Sequence, residues 1–214
     1  MEEAQEIQAR KRRIREEVLT RLTAIPAHQA EDFSSRICRH LQEWPAYRQA
    51  RTVMVYIALR GEPDLGDFLE AAVDVGIRLC VPRVDWRSGR LTPAVVRDLS
   101  RDLVPGRYGV FEPASGCAVC SAAELDLVLV PGMAFTPAGA RLGRGGGFYD
   151  RFLAELADLR SGGGPQEGGG GGITCGVCFS AALLPDLPTQ AHDVPVRYLC
   201  TELGVAPAAA GGRQ

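Results

Sequence analysis

From Glu3 to Thr23 the apolar side chains Ile7, Ile14, Val18 and Leu22 fall on one stripe of a helix that turns about 100° per residue. Lys11 and Arg15 lie one turn apart at the margin of that stripe, whereas Arg12 and Arg13 project away from it. Pro26 breaks the pattern, and a second amphipathic helix is predicted from Ala27 to Trp44. The pattern then changes period. The run Thr52–Ala58 (TVMVYIA) is β-branched and aromatic, as a strand buried on both faces requires. A helix follows from Asp64, with Asp67, Phe68, Ala71, Ala72 and Val75 at helical spacing. Ile77–Pro82 and Leu125–Gly132 read as further buried strands, and ITCGVCF and RYLCTE as two more. LTPAVV is a weaker strand, placed at a sheet edge because Pro93 lacks a ladder donor. The segment RLGRGGGFYDRFLAEL turns from a glycine-rich loop into a helix.

Strands alternating with helices, several of them apolar throughout, predict an α/β fold: a three-layer α/β/α sandwich around a mostly parallel sheet. No repeat or linker divides the chain, so residues 1–214 are expected to form one domain. Two segments cannot contribute to a core. The low-complexity stretch at about 161–172, SGGGPQEGGGGG, is expected to be a flexible insert, and the tail from about Ala206 is expected to be unanchored.

Composition narrows the function classes. With 46% hydrophobic and 23% charged residues, the chain of 214 has the make-up of a folded globular protein. A formal net charge of −2 gives no overall attraction to nucleic acid or to a membrane surface. No apolar run approaches the roughly 20 residues of a spanning helix. The basic N-terminus lacks an apolar stretch and carries Glu2, Glu3 and Glu6, so neither a secretory nor a transit signal is read and the cytoplasm is the expected location. Seven cysteines include two CxxC pairs, Cys117/Cys120 and Cys175/Cys178. The second pair falls in a predicted strand, where residues three apart diverge to opposite faces, so buried thiols are favoured over a zinc-binding interaction module. His28, His40 and His192 are scattered and form no triad or metal spacing.

The richest chemistry lies in RLGRGGGFYD, Arg141 to Asp150. Glycines at 143, 145, 146 and 147 let backbone N–H groups approach a phosphate, and Arg141 and Arg144 supply fixed positive charge. No GK[ST] follows and the glycines are contiguous, so this is neither a Walker A loop nor a dinucleotide fingerprint; a purely structural turn stands as the alternative. Asp150 is either a Mg²⁺ ligand beside bound phosphates or an acid that suits the first turn of a helix. Lys11 is the only lysine among 24 basic residues. Its pairing with Arg15 fits an anion held between two like charges, or else a solvated basic face. Glu62 follows the carboxyl end of a strand, where open α/β sheets bind ligands, and Asp193 sits in the polar segment AHDVP.

Taken together, KRRIR near the start, the acid after the first strand, VPGMAFTPAGARLGRGGGFYDRFL, and HDVPV near the end resemble the 5-formyltetrahydrofolate cyclo-ligase family, also called 5,10-methenyltetrahydrofolate synthetases. The resemblance runs from about Lys11 to Glu202, and CVPRV and YGVFEP match looser blocks of the family. It implies an ATP- and Mg²⁺-dependent ligase, with ATP as cosubstrate, that acts on a folate as a monomer through a phosphorylated formyl intermediate. It also implies residue roles. Lys11, Arg12, Arg13, Ile14 and Arg15 would serve the ATP phosphates from the first helix. Arg141, Leu142, Gly143, Arg144, Gly145, Gly146, Gly147, Phe148 and Tyr149 would form the nucleotide loop, with Arg144 to Phe148 also bordering the folate. Ile57, Glu62 and Tyr108 would hold the folate, and Asp150 and Asp193 would hold Mg²⁺. Lys11, Arg144 and Asp150 would carry the catalysis. Three departures stand out: Phe148 replaces the first tyrosine of the usual YYD, Arg197 replaces a common aspartate, and the glycine-rich insert is long. A non-catalytic folate- or nucleotide-binding paralogue is the alternative, and it would bind without turnover.

Overall fold

A computed structural model describes residues 2–162, 172–190 and 193–209 of the chain. Its N-terminal helices are α1 (Glu2–Thr23), α2 (Ala27–Glu43) and the short α3 (Pro45–Gln49). α2 starts immediately after Pro26 and buries Ser34, Ile37, Cys38 and Leu41, the three-to-four spacing of one helix face. The sheet then begins with β1 (Thr52–Met54), followed by α4 (Gly66–Asp74), β2 (Arg78–Asp85) and β3 (Arg90–Val96). After the single turn α5 (Leu99–Asp102) come β4 (Leu103–Pro105) and β5 (Phe111–Pro113), a small hairpin. β6 (Leu127–Pro131) returns to the main sheet. A two-stranded ribbon, β7 (Ala134–Phe135) with β8 (Arg141–Leu142), leads into α6 (Phe148–Gly162). β9 (Ile173–Val177), β10 (Tyr198–Thr201) and β11 (Gly204–Pro207) complete the chain.

The main sheet has seven strands in the order β11-β10-β9-β6-β1-β2-β3. The five central strands are parallel to one another, and the edge pairs β2–β3 and β10–β11 are antiparallel. β1 is buried throughout, and β6 and β9 are buried at all but one residue, the signature of strands covered on both faces. The covering layers follow from topology. The β1-α4-β2 crossover steps one way along the sheet and β6-α6-β9 steps the other. Right-handed crossovers in opposite directions put their helices on opposite faces. α2 packs on α4 and so joins its layer. The direction reverses between the adjacent strands β1 and β6, which opens a crevice beyond their carboxyl ends.

Several boundaries differ from the sequence expectation. β1 ends at Met54, not Ala58, because after the Val55 N–H bonds to the Cys80 carbonyl at 2.9 Å the chain leaves the sheet. The buried Tyr56 hydroxyl then donates to the Pro63 carbonyl at 3.0 Å, closing the segment into a loop. β2 runs on to Asp85, beyond the expected Pro82, because β3 folds back on it as a hairpin. β3 does lie at the sheet edge. Its Pro93 stands opposite Pro82 and turns its carbonyl outward to accept the Cys120 N–H at 2.9 Å. The missing N–H of Pro93 faces the same way, so the β2 ladder loses nothing. The tail is held further than its composition indicated. Gly204–Pro207 pairs with β10, and the Ala209 N–H reaches the Pro137 carbonyl at 2.9 Å. Backbone pairing needs no large side chain, and it covers the otherwise open edge of β10. The low-complexity insert lies, for residues 163–171, outside the described residues. No helix among the described residues is long and apolar enough to cross a membrane.

Candidate active site

The crevice at the β1/β6 reversal is a cavity of about 210 Å³. Its walls come from different elements of the fold. Ile57 and Glu62 come from the loop after β1, Trp86 from the tip of the β2–β3 hairpin, and Phe111 and Arg107 from the β4–β5 hairpin. Pro131 ends β6 and Gly132 follows it, and Arg141 with the glycine loop to Asp150 closes the remaining side. Most of the lining is apolar, with a few charged groups at fixed points, which is the make-up of a small-molecule site.

Glu62 is the buried charge on the β1 side, with its side chain only 4% exposed. Its carboxylate accepts the Arg144 Nε–H at 2.9 Å and the Leu59 backbone N–H at 2.9 Å. Burial pushes the Glu62 pKa above the ordinary carboxylate value, and Arg144 opposes that shift. Arg144 also donates to the Arg60 carbonyl at 2.6 Å, so the β1 loop and the glycine loop are joined at this residue.

Arg141 is held more tightly. Its side chain is 5% exposed, its guanidinium donates to the Pro131 carbonyl at 3.2 Å and pairs with Asp150, and it lies 5.7 Å over the Tyr149 ring. Two buried polar atoms here have no protein partner, Arg141 Nε and Tyr149 Oη. Both residues line the cavity. A buried polar group left unpaired costs about 1–3 kcal/mol, so these two leave hydrogen-bonding capacity in the cavity wall that a ligand could use.

Helix α1 crosses the glycine loop from outside the cavity. Arg15 Nε donates to the Gly143 carbonyl at 2.7 Å. Burial pulls the Arg15 pKa below its ordinary value, Asp150 acts against that, and Arg141 adds to it. One turn earlier, about 6 Å along the axis, Lys11 Nζ bonds to Asp193 Oδ2 at 2.8 Å in a pair only 8% and 13% exposed. The Gln190 N–H reaches the same oxygen at 2.8 Å. The rotation of the helix explains what happens to the rest of KRRIR. Arg12 and Arg13 are exposed, with Arg13 paired to Glu17, and Ile14 packs against the core. None of these three is brought to the loop.

Other expected positions divide by role. Leu142 is buried in the core and presents only backbone to the loop. Gly145, Gly146 and Gly147 line the cavity with backbone, and Phe148 presents its ring. That ring meets Trp86 edge-on at 5.2 Å between centroids. Tyr108 lies in the Arg107–Gly109 turn beside the cavity, and its side chain is outside the described residues. Sequence reasoning missed Trp86, Arg107 and Arg151. The available signal was a tryptophan in the polar turn DWRSGR, which the structure leaves 40% exposed with the Arg107 guanidinium 5.4 Å over its ring.

Of the two carboxylates expected to hold Mg²⁺, Asp150 lines the cavity and pairs with Arg141, whereas Asp193 pairs with Lys11 and is not among the cavity-lining residues. Asp150 remains 32% exposed at the cavity. Among the described residues no three His, Cys, Asp or Glu side chains form a closed cage. That arrangement suits an ion held by one or two carboxylates and completed by phosphate oxygens and water. The cysteines stand apart from the site: Cys175 and Cys178 are buried, and burial raises both thiol pKa values.

Likeness to known proteins runs over most of the chain. The model of the 5-formyltetrahydrofolate cyclo-ligase family matches residues 7–202. The mitochondrial 5-formyltetrahydrofolate cyclo-ligase of Arabidopsis thaliana is 28% identical over 96% of this chain and 79% of its own length. The 5-formyltetrahydrofolate cyclo-ligase of Escherichia coli is 26% identical over 85% of this chain and 94% of its own length. Among solved structures, the Aquifex aeolicus 5,10-methenyltetrahydrofolate synthetase superposes with a TM-score of 0.77 at 27% identity, covering 95% of each chain.

Proposed function

Since the chain belongs to the 5-formyltetrahydrofolate cyclo-ligase family, we propose that this cavity converts 5-formyltetrahydrofolate to 5,10-methenyltetrahydrofolate with ATP and Mg²⁺, releasing ADP and phosphate. One observation carries the reading: a single arginine, Arg144, bonds the buried Glu62 on one side and belongs to the glycine loop on the other. A carboxylate that can accept N–H groups of a pterin therefore lies one side chain away from a loop suited to phosphates.

The formyl oxygen is a poor leaving group until it is phosphorylated. Its attack on the terminal phosphorus of ATP forms an O–P bond and breaks the bond to ADP. N10 then closes on the activated carbon, loses its proton, and phosphate departs. Catalysis is mainly positioning and charge neutralisation. Arg144 would meet the phosphoryl group as it passes between the two ends. Arg15 and Lys11 would hold the outer phosphates, and the unpaired Arg141 Nε would find an acceptor. Tyr149 Oη would bond the folate or the nucleotide. Mg²⁺ held by Asp150 and Asp193 with the phosphates would supply charge neutralisation at the transferred group.

The test is direct. Purified protein given 5-formyltetrahydrofolate, ATP and Mg²⁺ develops the near-ultraviolet band of the methenyl product, and EDTA or omission of ATP keeps the trace flat. A flat trace in the complete mixture, with both ligands still bound by calorimetry, assigns the chain to a binding role. Phe148→Tyr is expected to keep kcat within about threefold, because the ring itself supplies the edge-on contact with Trp86. A gain above tenfold in kcat/KM would mean that the lost hydroxyl had bonded ligand.

A further inference from the structure

Arg151, one residue beyond the glycine-loop motif, has no role in the scheme above, yet it joins two of the cavity's walls. Its Nε and Nη2 donate to the Gly89 carbonyl at 2.9 and 2.7 Å, and Nη2 donates also to the Gly146 carbonyl at 3.0 Å. Gly89 is the tip of the β2–β3 hairpin, and Gly146 lies in the glycine loop. The guanidinium sits 5.6 Å over the Phe148 ring, which in turn meets Trp86 of the same hairpin. The backbone is shaped around this side chain. Gly89 and Gly147 have φ of +70° and +69°, and a Cβ on either would come within 2.5 and 2.8 Å of the Arg151 nitrogens. The hairpin tip is itself stiff, since Asp85 accepts from the Arg87 and Ser88 N–H groups and from the Ser88 hydroxyl. No carboxylate pairs with Arg151 among the described residues. Its fork of donors is spent on backbone, with two loops held by one planar group.

We propose that Arg151 is a positioning residue that latches the β2–β3 hairpin to the glycine loop, so that the two walls order together and each ligand strengthens binding of the other. The proposal rests on the function above: the hairpin presents Trp86 to the folate, the loop presents its backbone to the nucleotide, and Arg151 touches neither ligand. A wall ordered by the first ligand no longer has to be ordered by the second, which is positive coupling through a shared element.

The test measures the affinity of the β,γ-imido analogue of ATP with Mg²⁺ by calorimetry, with and without saturating 5-formyltetrahydrofolate. In the wild type the folate tightens the nucleotide about tenfold. Arg151→Ala brings that factor close to one, while the affinity for each ligand alone changes by less than about threefold. Arg151→Lys fails to restore the coupling, because a single ammonium cannot span both carbonyls. A Trp44→Phe background leaves Trp86 as the only tryptophan. There, Arg151→Ala increases acrylamide quenching of Trp86 with the circular dichroism of the folded protein unchanged. Full coupling in Arg151→Ala, full rescue by lysine, or no coupling in an active wild type would each overturn the latch. A wild type that binds neither ligand would instead overturn the functional reading, and the latch with it.

Discussion

Lys11→Met is expected to lower turnover by about 10²–10³ and to lower the melting temperature, and adding Asp193→Asn is expected to restore the melting temperature without restoring turnover. The first effect follows from charge. Lys11 is the cation that α1 would bring to the nucleotide phosphates, and removing one preorganised electrostatic contact costs about 10²–10³ in kcat. The second follows from burial. Lys11 and Asp193 form a pair with side chains only 8% and 13% exposed, so loss of the lysine takes the pair's cation away from a carboxylate held largely out of solvent. Breaking a buried pair from one side costs about 3–5 kcal/mol, and in a chain of this size each kcal/mol moves the midpoint by about 2–4 °C. A drop on the order of 10 °C is expected. Removing both charges also removes the desolvation cost, so the double variant should melt near the wild type. Calorimetric scans of the two single variants and the double, run beside the absorbance assay, decide the matter. Undiminished turnover in Lys11→Met would remove the residue from the phosphate site. A double variant that melts no higher than Lys11→Met would show that the unpaired charge is not what lowers the melting temperature.

Arg144→Ala is expected to be equally damaging to catalysis, lowering kcat/KM by about 10²–10⁴, since its guanidinium reaches from the glycine loop to the buried Glu62. It also changes how stability depends on pH. Burial already raises the Glu62 pKa above its unfolded value, with Arg144 working against that shift. A carboxyl raised on folding binds more protons in the native state than in the unfolded one between the two pKa values. Stability then falls as pH climbs through that window, and the cost is complete above the folded pKa. Without Arg144 the folded pKa rises further, so the window widens upward toward neutrality. The melting temperature of Arg144→Ala should therefore lie closer to that of the wild type at pH 5 than at pH 8. Arg144→Ala with Glu62→Gln should lose that difference, because the titrating group is gone. A melting deficit independent of pH would show that Glu62 does not depend on Arg144 for its charge.

Much of the architecture was legible because it is written in periodicity. Continuous apolar runs mark the strands that helices cover on both sides, and the helical spacing of Ile14, Val18 and Leu22 marks the face of α1 that packs inward. The glycine loop was legible for a different reason. Backbone that must approach a phosphate excludes side chains, and that leaves a visible gap in the sequence. The edge role of β3 could be read from Pro93, whose missing donor confines it to one side of the ladder. Strand ends were not legible. Thr52–Ala58 carries no charged residue, glycine or proline to mark a break, and the loop closed by Tyr56 and Glu62 ends β1 at Met54.

The site shows the same division. Composition and spacing already show the residue types for phosphate and metal chemistry: a lone lysine near the start, two arginines and an aspartate around contiguous glycines, and two further acids. Helical spacing also sets the local geometry, as with Lys11 and Arg15 on one helix face and Arg12 and Arg13 turned away from it. Which of them meet was decided only by tertiary structure. Lys11 finds Asp193 across 182 residues, and Arg144 finds Glu62 across 82. Trp86 and Arg151 joined the site only because a hairpin tip folds over the start of α6. The physical reason is range. Periodicity and backbone exclusion act within a few residues and leave their mark on neighbouring letters. An ion pair or a latch between distant segments is fixed by the reversal of strand order at β1 and β6, and no local pattern records which partners that reversal brings together.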